Sequence, residues 1–409
     1  MKLHISSPSN NLINATVKIT GSKSESNRSL LLKALYSNIS ISNVSNSDDA
    51  VVMEKGLQIS SGIVDIHHAG TAMRFLTSYF ASQEGKEVTL TGSQRMTERP
   101  IKVLVEALQD LGADITYVEN EGYPPLLIKG KKLTKSKVSL PANISSQYIS
   151  SLLLTAPSLE NGIEVELVGK ITSVPYIKMT LALLKEIGVE SAFKGNTITV
   201  APKKEVKPTE LVVESDWSSA SYFYSLVALS DVGSEITLSA YKKDSLQGDS
   251  VLAEIYKDFG VETVFQDHQI MLKKKTSNTL PKVTIDLSNA PDIAQTIAVT
   301  CFGLGVSCYL TGLHTLKIKE TDRLEALYAE LSKLGADIKV TDKTLTLEST
   351  PEIKTNVAID TYNDHRMAMA FGPLALKTAL FVNDAEVVSK SYPDYWTDFK
   401  NLGIVVKQA

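Results

Sequence analysis

The feature that most constrains this chain is an internal repeat. The stretches LQDLGADITYV (Leu108–Val118) and LSKLGADIKV (Leu331–Val340) share a helical apolar pattern, then a glycine, then alternating apolar residues. That order reads as helix, stop, strand. Weaker copies surround Gly188 (LLKEIGVESAF), Gly260 (IYKDFGVETVF), Gly56 (MEKGLQI) and Gly403 (FKNLGIVV). Each glycine suits the left-handed residue that commonly closes a helix, so each marks a helix C-terminus. The six positions lie 56 to 76 residues apart, longer than solenoid periods of roughly 20–50 residues. Compact α/β units fit better than a thin solenoid, and three units per domain is the simplest grouping.

A chain of 409 residues exceeds one core at about 100–200 residues per domain, which gives two large domains. In KPTELVVESDW (Lys207–Trp217), Pro208 and a strand-like run lead to Asp216 and a new helix, so the crossing is placed near Glu214. The net charge of −4 argues against a general nucleic-acid binder, which would show a basic excess. No run approaches the ~20 apolar residues of a membrane span, and MKLHISSPSN lacks the apolar region of a signal peptide. A cytoplasmic protein without membrane partners is expected. The two cysteines, Cys301 and Cys308, cannot form a disulfide framework or a thiolate metal site alone and read as reduced core residues. The dense basic run KGKKLTKSK (Lys129–Lys137) reads as a solvated hairpin.

Charge concentrates where helices start. In TGSKSESNRSLLLKAL (Thr20–Leu35), Gly21 permits close backbone approach, Ser22 or Ser24 can cap, and Lys23 and Arg28 add full charges to the helix dipole. The spacing is not that of a nucleotide P-loop. HAGTAMRFL (His68–Leu76) repeats the design with Gly70 and Arg74, and TERPIKVLVEAL puts Arg99 before Pro100, a residue suited to a first helical turn. Ser145, Ser146 and Gln147 in ISSQYISSLLL offer neutral donors and acceptors that suit a hydroxylated ligand. Further on, NAPDIAQTIA starts a helix at Pro291-Asp292, KIKETDRLEAL near Thr321 and YNDHRMAMAFG near Asn363. Asp322 and Asp364 there read equally as plain helix-capping carboxylates. Several arginines at helix starts suggest more than one bound anionic group, because the guanidinium fork takes carboxylate and phosphate oxygens in pairs.

GSKSESNR, AGTAMR, ERPI, SSQY, SVPY, PDIAQTIA, KETDRL, NDHRMAM and KSYPDYW resemble, in order, the motifs of the 5-enolpyruvylshikimate-3-phosphate synthases, and the resemblance spans nearly the whole chain. It implies an α/β (α+β) fold of two similar domains, each of three βαβαββ units with approximate threefold symmetry, joined by two crossover segments. Residues 21–213 would form the first domain, on the shikimate 3-phosphate side. Residues 1–20 and 214–409 would form the second, with the active site in the cleft between and ligand-driven domain closure. The implied reaction moves the enolpyruvyl group of phosphoenolpyruvate to the 5-hydroxyl of shikimate 3-phosphate and releases phosphate, a step toward chorismate and the aromatic amino acids. The resemblance assigns Lys23, Ser24, Arg28, Ser145, Ser146, Gln147, Ser173, Tyr176, Asp292 and Lys319 to shikimate 3-phosphate. It assigns Lys23, Gly70, Arg99, Gln147, Arg323, Arg366 and Lys390 to phosphoenolpyruvate. No cofactor is implied, and a monomer is expected.

The chain departs from the family pattern at His68, where Asn is usual, at Phe75, where Pro is frequent, and at Thr315, where Asn is common. These bear on ligand affinity and on the response to glyphosate, the family's phosphoenolpyruvate-site inhibitor. The chemistry needs one acid, for the methylene carbon of the enol ether, and one base, for the attacking hydroxyl. Asp292 is the candidate base and Glu320 the candidate acid, with Lys23 competing for the acid role. Adjacent His67 and His68 would point oppositely on a strand, so no metal site is expected. His365 reads as a packed histidine or a catalytic one. Two other readings compete. UDP-N-acetylglucosamine enolpyruvyl transferases share the implied fold but typically carry a reactive Cys in a first-domain loop, and no Cys lies in residues 21–213. A non-catalytic anion-binding protein would have no reason to keep Asp292, Glu320, Lys319 and Lys390 together.

Overall fold

Five of the six repeat glycines follow a helix in the left-handed conformation: Gly112, Gly188, Gly260, Gly335 and Gly403 all have positive φ, between 76° and 107°. After the helices Lys102–Asp110 and Arg323–Lys333 the chain closes identically, with the N–H of Ala113 reaching the Leu108 carbonyl (2.8 Å) and that of Ala336 reaching Leu331 (3.0 Å). That bond pattern satisfies carbonyls a helix end otherwise leaves open. Gly56 is the exception. It lies inside the helix Asp48–Leu57, where a Cβ would meet Leu76 Cδ1 at 2.7 Å, so its lack of a side chain serves helix–helix contact, not a turn.

The computed structural model describes residues 1–409 except 9, 143, 144, 170, 172, 173, 279 and 351. Two compact units emerge, one of residues 1–20 with 214–409 and one of residues 21–213. Each has its own apolar core.

In the unit that contains both termini, every described sheet has four strands. The strands Lys282–Asp286 and Ser307–Thr311 run parallel, and Leu345–Glu348 and Asp337–Val340 continue antiparallel. The chain start completes the other two sheets. Leu3–Ser6 pairs antiparallel with both Leu380–Val382 and Val405–Gln408, and Asn14–Val17 runs parallel to Glu235–Ser239. Alternating burial along such strands, as in Gln269–Lys274, leaves one face for helices and one for water. At the centre, Ala294–Leu304 contacts both Trp217–Leu229 and His365–Phe371. Trp217–Leu229 and His365–Phe371 are buried along their whole length, and apart from His365 and Arg366 at the start of the second their sequences are apolar, aromatic or small all round. Hydroxyls let the helices approach closely: Ser221 bonds Thr296 (3.0 Å), and Thr300 donates to Ser225 (2.7 Å).

The 21–213 unit repeats the plan with one curtailment. Two described sheets have four strands in the same order, Ser61–Asp65 with Glu87–Thr91, Leu126–Lys129 and Asp114–Tyr117, and Lys137–Pro141 with Ile163–Val168, Thr197–Val200 and Ser191–Lys194. The third has only Ile39–Ser42 and Thr209–Val212, in parallel. After Gly56 the chain forms no hairpin but enters Ser61–Asp65, a strand of the next sheet. The faintest copy of the repeat is therefore the one without its two terminal strands. The helices Lys23–Leu35, Gly70–Ala81 and Ser146–Thr155 contact one another pairwise at the centre.

Candidate active site

The starts of the central helices carry the charged motifs, and each unit presents its own cluster. In the 21–213 unit Lys23 and Ser24 open the helix Lys23–Leu35, both half-buried. Arg28, one turn on, is buried and heavily engaged: Nε donates to Thr180 Oγ1 (2.8 Å), Nη1 to the Ser24 carbonyl (2.7 Å), and Nη2 to Ser150 Oγ (2.9 Å) and the Tyr176 carbonyl (3.5 Å). The guanidinium lies over the rings of Phe75 and Tyr176. Phe75, the departure from Pro, thus lies against the charge of Arg28. Burial pushes the Arg28 pKa down to about 10.

A second group forms around Gly70. The Arg99 guanidinium lies so close that a Cβ on Gly70 would meet Nη1 at 2.6 Å. Arg74 donates to the Gly70 carbonyl (3.0 Å) and to the Pro100 carbonyl (3.3 Å), which also accepts from Tyr148 Oη (2.6 Å). The ERPI turn is held in place by these two side chains. Burial, with Arg99 adding to it, pushes the Arg74 pKa down to about 10. Gln147 Nε2 donates to Thr71 Oγ1 (3.1 Å), bringing the starts of two central helices together, and Ser145 Oγ caps its own helix through the Gln147 N–H (3.3 Å). Ser146 is buried in the first turn and Tyr176 half-buried. Ser173 lies outside the described residues. His68 Nε2 stands 3.9 Å from Asp48 Oδ2.

The other unit gathers Asp292, Lys319, Glu320, Arg323 and Arg366. Asp292, in the short turn Pro291–Ile293, receives Arg323 Nη1 (3.1 Å) and Lys319 Nζ (3.3 Å) on Oδ1 and Arg366 Nη2 (3.2 Å) on Oδ2. Arg366 Nη1 also donates to the Asp292 carbonyl (3.2 Å). Arg323 is buried and reaches two more carboxylates, Glu320 through Nη2 (2.8 Å) and Asp364 through Nε (2.7 Å). Asp364 in turn caps the helix His365–Phe371 by accepting the Arg366 N–H (2.9 Å). Its capping role and its ionic role are one geometry. Burial alone would raise the Asp292 pKa, but Arg366, Lys319 and Arg323 hold it well below the carboxylate range. Burial likewise opposes the charge of Arg323, and Asp364, Glu320 and Asp292 outweigh it and lift its pKa. Asp292, Glu320 and Asp364 thus offset the charges of Lys319, Arg323 and Arg366. Lys390 Nζ donates to the carbonyl and Oδ1 of Asn363 (2.6 and 3.0 Å). Thr315 Oγ1 is buried without a partner among the described residues.

Sequence reasoning missed Asp249, which burial and the charge of Asp292 push up to about 7. Its signal was available, a Gly248-Asp249 pair opening a helical turn much as Pro291-Asp292 does. Thr71, which accepts the Gln147 side chain, was also missed. Among the described residues no group of three or more His, Cys, Asp or Glu side chains is placed to hold a metal, and no helix is long and apolar enough to cross a membrane.

Residues 40–399 match the family model of EPSP synthase (3-phosphoshikimate 1-carboxyvinyltransferase). The chain belongs to the EPSP synthase family. A 3-phosphoshikimate 1-carboxyvinyltransferase of Bacteroides fragilis is 44% identical over 411 residues, covering 100% of this chain and 99% of that protein. One from Photobacterium damsela subsp. piscicida is 37% identical, covering 96% and 97%. The fold matches an EPSP synthase from Acinetobacter baumannii with a TM-score of 0.82 at 22% identity, over the whole of both chains. It also matches the enolpyruvyl transferase NikO from Streptomyces tendae, with a TM-score of 0.75 at 13% identity, covering 100% of this chain and 99% of that one. The motif resemblance and the α/β two-domain expectation agree with these matches. An EPSP synthase is an enolpyruvyl transferase of the shikimate pathway, with shikimate 3-phosphate and phosphoenolpyruvate as its substrates.

Proposed function

We propose that Asp292 and Glu320 carry the proton transfers of this EPSP synthase, with Arg323 as the group that holds both in register. The observation that carries the reading is that one buried guanidinium binds both carboxylates, at 3.1 and 2.8 Å. In the addition step the 5-hydroxyl oxygen of shikimate 3-phosphate bonds to C2 of phosphoenolpyruvate. Its proton passes to Asp292, and the methylene carbon takes a proton from Glu320 or from Lys23. In the elimination step the new methyl group returns a proton to the deprotonated acid, Glu320 or Lys23, the C–O bond to phosphate breaks, and the proton held by Asp292 leaves with the phosphate. Lys23, Gly70, Arg99, Gln147, Arg323, Arg366 and Lys390 are the groups assigned to phosphoenolpyruvate. Lys23, Ser24, Arg28, Ser145, Ser146, Gln147, Ser173, Tyr176, Asp292 and Lys319 are those assigned to shikimate 3-phosphate. Crowded cations of this kind stabilise the phosphate-bearing intermediate and the departing anion.

Asp292 is a weak base while three cations hold its pKa down. Phosphoenolpyruvate brings a carboxylate and a phosphate that compete with Asp292 for Arg366, and shikimate 3-phosphate competes with it for Lys319. Drawing those cations toward substrate raises the basicity of Asp292 when a base is needed, so the base is switched on by binding. Asp292→Asn is expected to lower kcat by roughly 10²–10⁴-fold while shikimate 3-phosphate affinity, measured by calorimetric titration, changes far less. Parallel losses of both make Asp292 a binding residue. Glu320→Gln and Lys23→Met, compared in single-turnover assays, identify the acid as the one whose loss blocks intermediate formation. Replacing shikimate 3-phosphate by UDP-N-acetylglucosamine in a phosphate-release assay tests the rival transferase. The reading takes the enzyme as a cytoplasmic monomer, and light scattering at assay concentration that gives twice the chain mass overturns the second part.

A further inference from the structure

The helix Arg323–Lys333 carries a buried acid at its far end, which the reaction scheme does not use. Glu330 is fully buried, seven residues and so about 10 Å along the axis from Arg323. Its Oε1 accepts from Tyr362 Oη (2.6 Å), its Oε2 accepts from the backbone N–H of Asp360 (3.1 Å), and Lys333 Nζ bridges both oxygens at 2.8 Å. Lys333 also reaches Asp360 Oδ2 (2.7 Å), and Asn383 Nδ2 donates to Asp360 Oδ1 (2.7 Å). One helix therefore grips the segment 360–364 at both ends, through Glu330 at Asp360 and Tyr362 and through Arg323 at Asp364.

What lies between the two grips is strained. Tyr362 and Asn363 both have positive φ, 52° and 57°. Two consecutive non-glycine residues in that region are costly, and a tyrosine there is rarer than an asparagine. Tyr362 is 40% exposed, so burial does little to hold it. The hydroxyl bond to a buried carboxylate does. The strained pair then aims two cations. The carbonyl and side chain of Asn363 receive Lys390, and the next two residues are Asp364, the helix cap, and His365, which starts the helix carrying Arg366.

We propose that Glu330 is a positioning residue for the phosphoenolpyruvate side of the reaction. By bonding Tyr362 and Asp360 it keeps the 362–363 pair in its strained conformation, and through that pair it places Lys390 and Arg366. The inference rests on the assignment of those two cations to phosphoenolpyruvate. Strain held by a remote charged bond is consistent with a segment that preorganises a site, because without that bond the backbone relaxes and the cations lose register.

The test is steady-state kinetics with both substrates varied, on Tyr362→Phe, Glu330→Gln, Glu330→Ala and Lys390→Met, each with its melting temperature. Tyr362→Phe removes only a hydroxyl from a half-exposed ring and serves as the decisive variant if Glu330→Ala fails to fold. It is expected to raise KM for phosphoenolpyruvate roughly tenfold, the value of a hydrogen bond to a charged group, with KM for shikimate 3-phosphate within about twofold. Glu330→Gln keeps acceptor oxygen and should recover much of what Glu330→Ala loses. A lower melting temperature with both KM values unchanged makes the network structural and overturns the proposal, as does an equal rise for both substrates. Lys390→Met separates the two levels. If it raises KM for phosphoenolpyruvate while Tyr362→Phe does not, the positioning idea fails and the site assignment stands. If Lys390→Met leaves that KM unchanged, the assignment fails and takes the proposal with it.

Discussion

Arg28 and Arg323 are both buried guanidiniums within the first two turns of a helix, and they are held by opposite chemistry. Arg28 rests on hydroxyls and carbonyls, Thr180, Ser150, Ser24 and Tyr176, and burial drives its pKa down to about 10. Arg323 rests on three carboxylates, Asp292, Glu320 and Asp364, and its pKa is lifted. Arg74 repeats the first pattern with the carbonyls of Gly70 and Pro100, and Arg366 repeats the second with Asp292. Neutral acceptors fix a guanidinium in place without cancelling its charge, so Arg28, acted on by Glu25 but bonded to no carboxylate among the described residues, keeps more of its positive field than Arg323 does. Carboxylate partners cancel the charge but leave ionised groups that can accept and return protons. The contrast suits one cluster to holding a polyanion and the other to acid–base work.

The largest effect that tests the contrast is on stability. Arg323→Met strands a fully buried Asp364 together with Asp292 and Glu320, and is expected to cost about 3–5 kcal/mol, as breaking a buried ion pair does. Arg28→Met leaves only hydroxyls and carbonyls, which are cheaper to leave unmade, about 1–3 kcal/mol. Paired urea denaturation curves check the order, and equal losses would mean that the two arginines are equivalent despite their partners.

A smaller effect sharpens the first half of the comparison. Gly70→Ala pushes a methyl group at the Arg99 guanidinium, the movable end of a long side chain, so the fold should survive with a melting temperature near that of the parent. The displaced cation should then raise KM for phosphoenolpyruvate by roughly tenfold with little change for shikimate 3-phosphate, the pattern of lost binding contact. A change confined to kcat would show that Arg99 acts on the chemistry and not on binding.

A pH slope in the carboxylate-rich cluster tests the second half of the comparison. The Asp249 carboxyl is raised from 3.8 to about 7 by burial and by Asp292, so between those values the folded state holds a proton that the unfolded chain has lost. Its contribution to stability is complete below pH about 4 and is lost as pH rises toward 7. Asp249→Asn should therefore melt higher than the parent at pH 7.5 and lose that advantage at pH 4.5. A constant difference across the range would show that Asp249 is ionised in the folded protein throughout.

The features legible in the sequence are those with a local cause. A helix that stops at Gly112 or Gly335 does so because a left-handed residue is needed at that point, and the apolar spacing before it is complete within a few turns. Lys23, Asp292 and Arg366 stand out in the sequence because helix starts concentrate charge at recognisable positions, and the structure places all three at such starts. Gly56 misled because its reason is not local: it makes room for Leu76 on another helix. Whether an arginine is neutralised was also beyond the sequence, because the partners of Arg28 lie at Ser150 and Thr180 and those of Asp292 at Arg323 and Arg366, brought together only by packing of the central helices. Placement of Leu3–Ser6 between Leu380–Val382 and Val405–Gln408 is of the same kind. By itself the sequence determined where helices begin and end, which family the motifs match and which residue types stand at the site. The tertiary structure decided which charges meet, and with that the protonation of Asp292 and Asp249, since a pKa depends on burial and on neighbours distant along the chain.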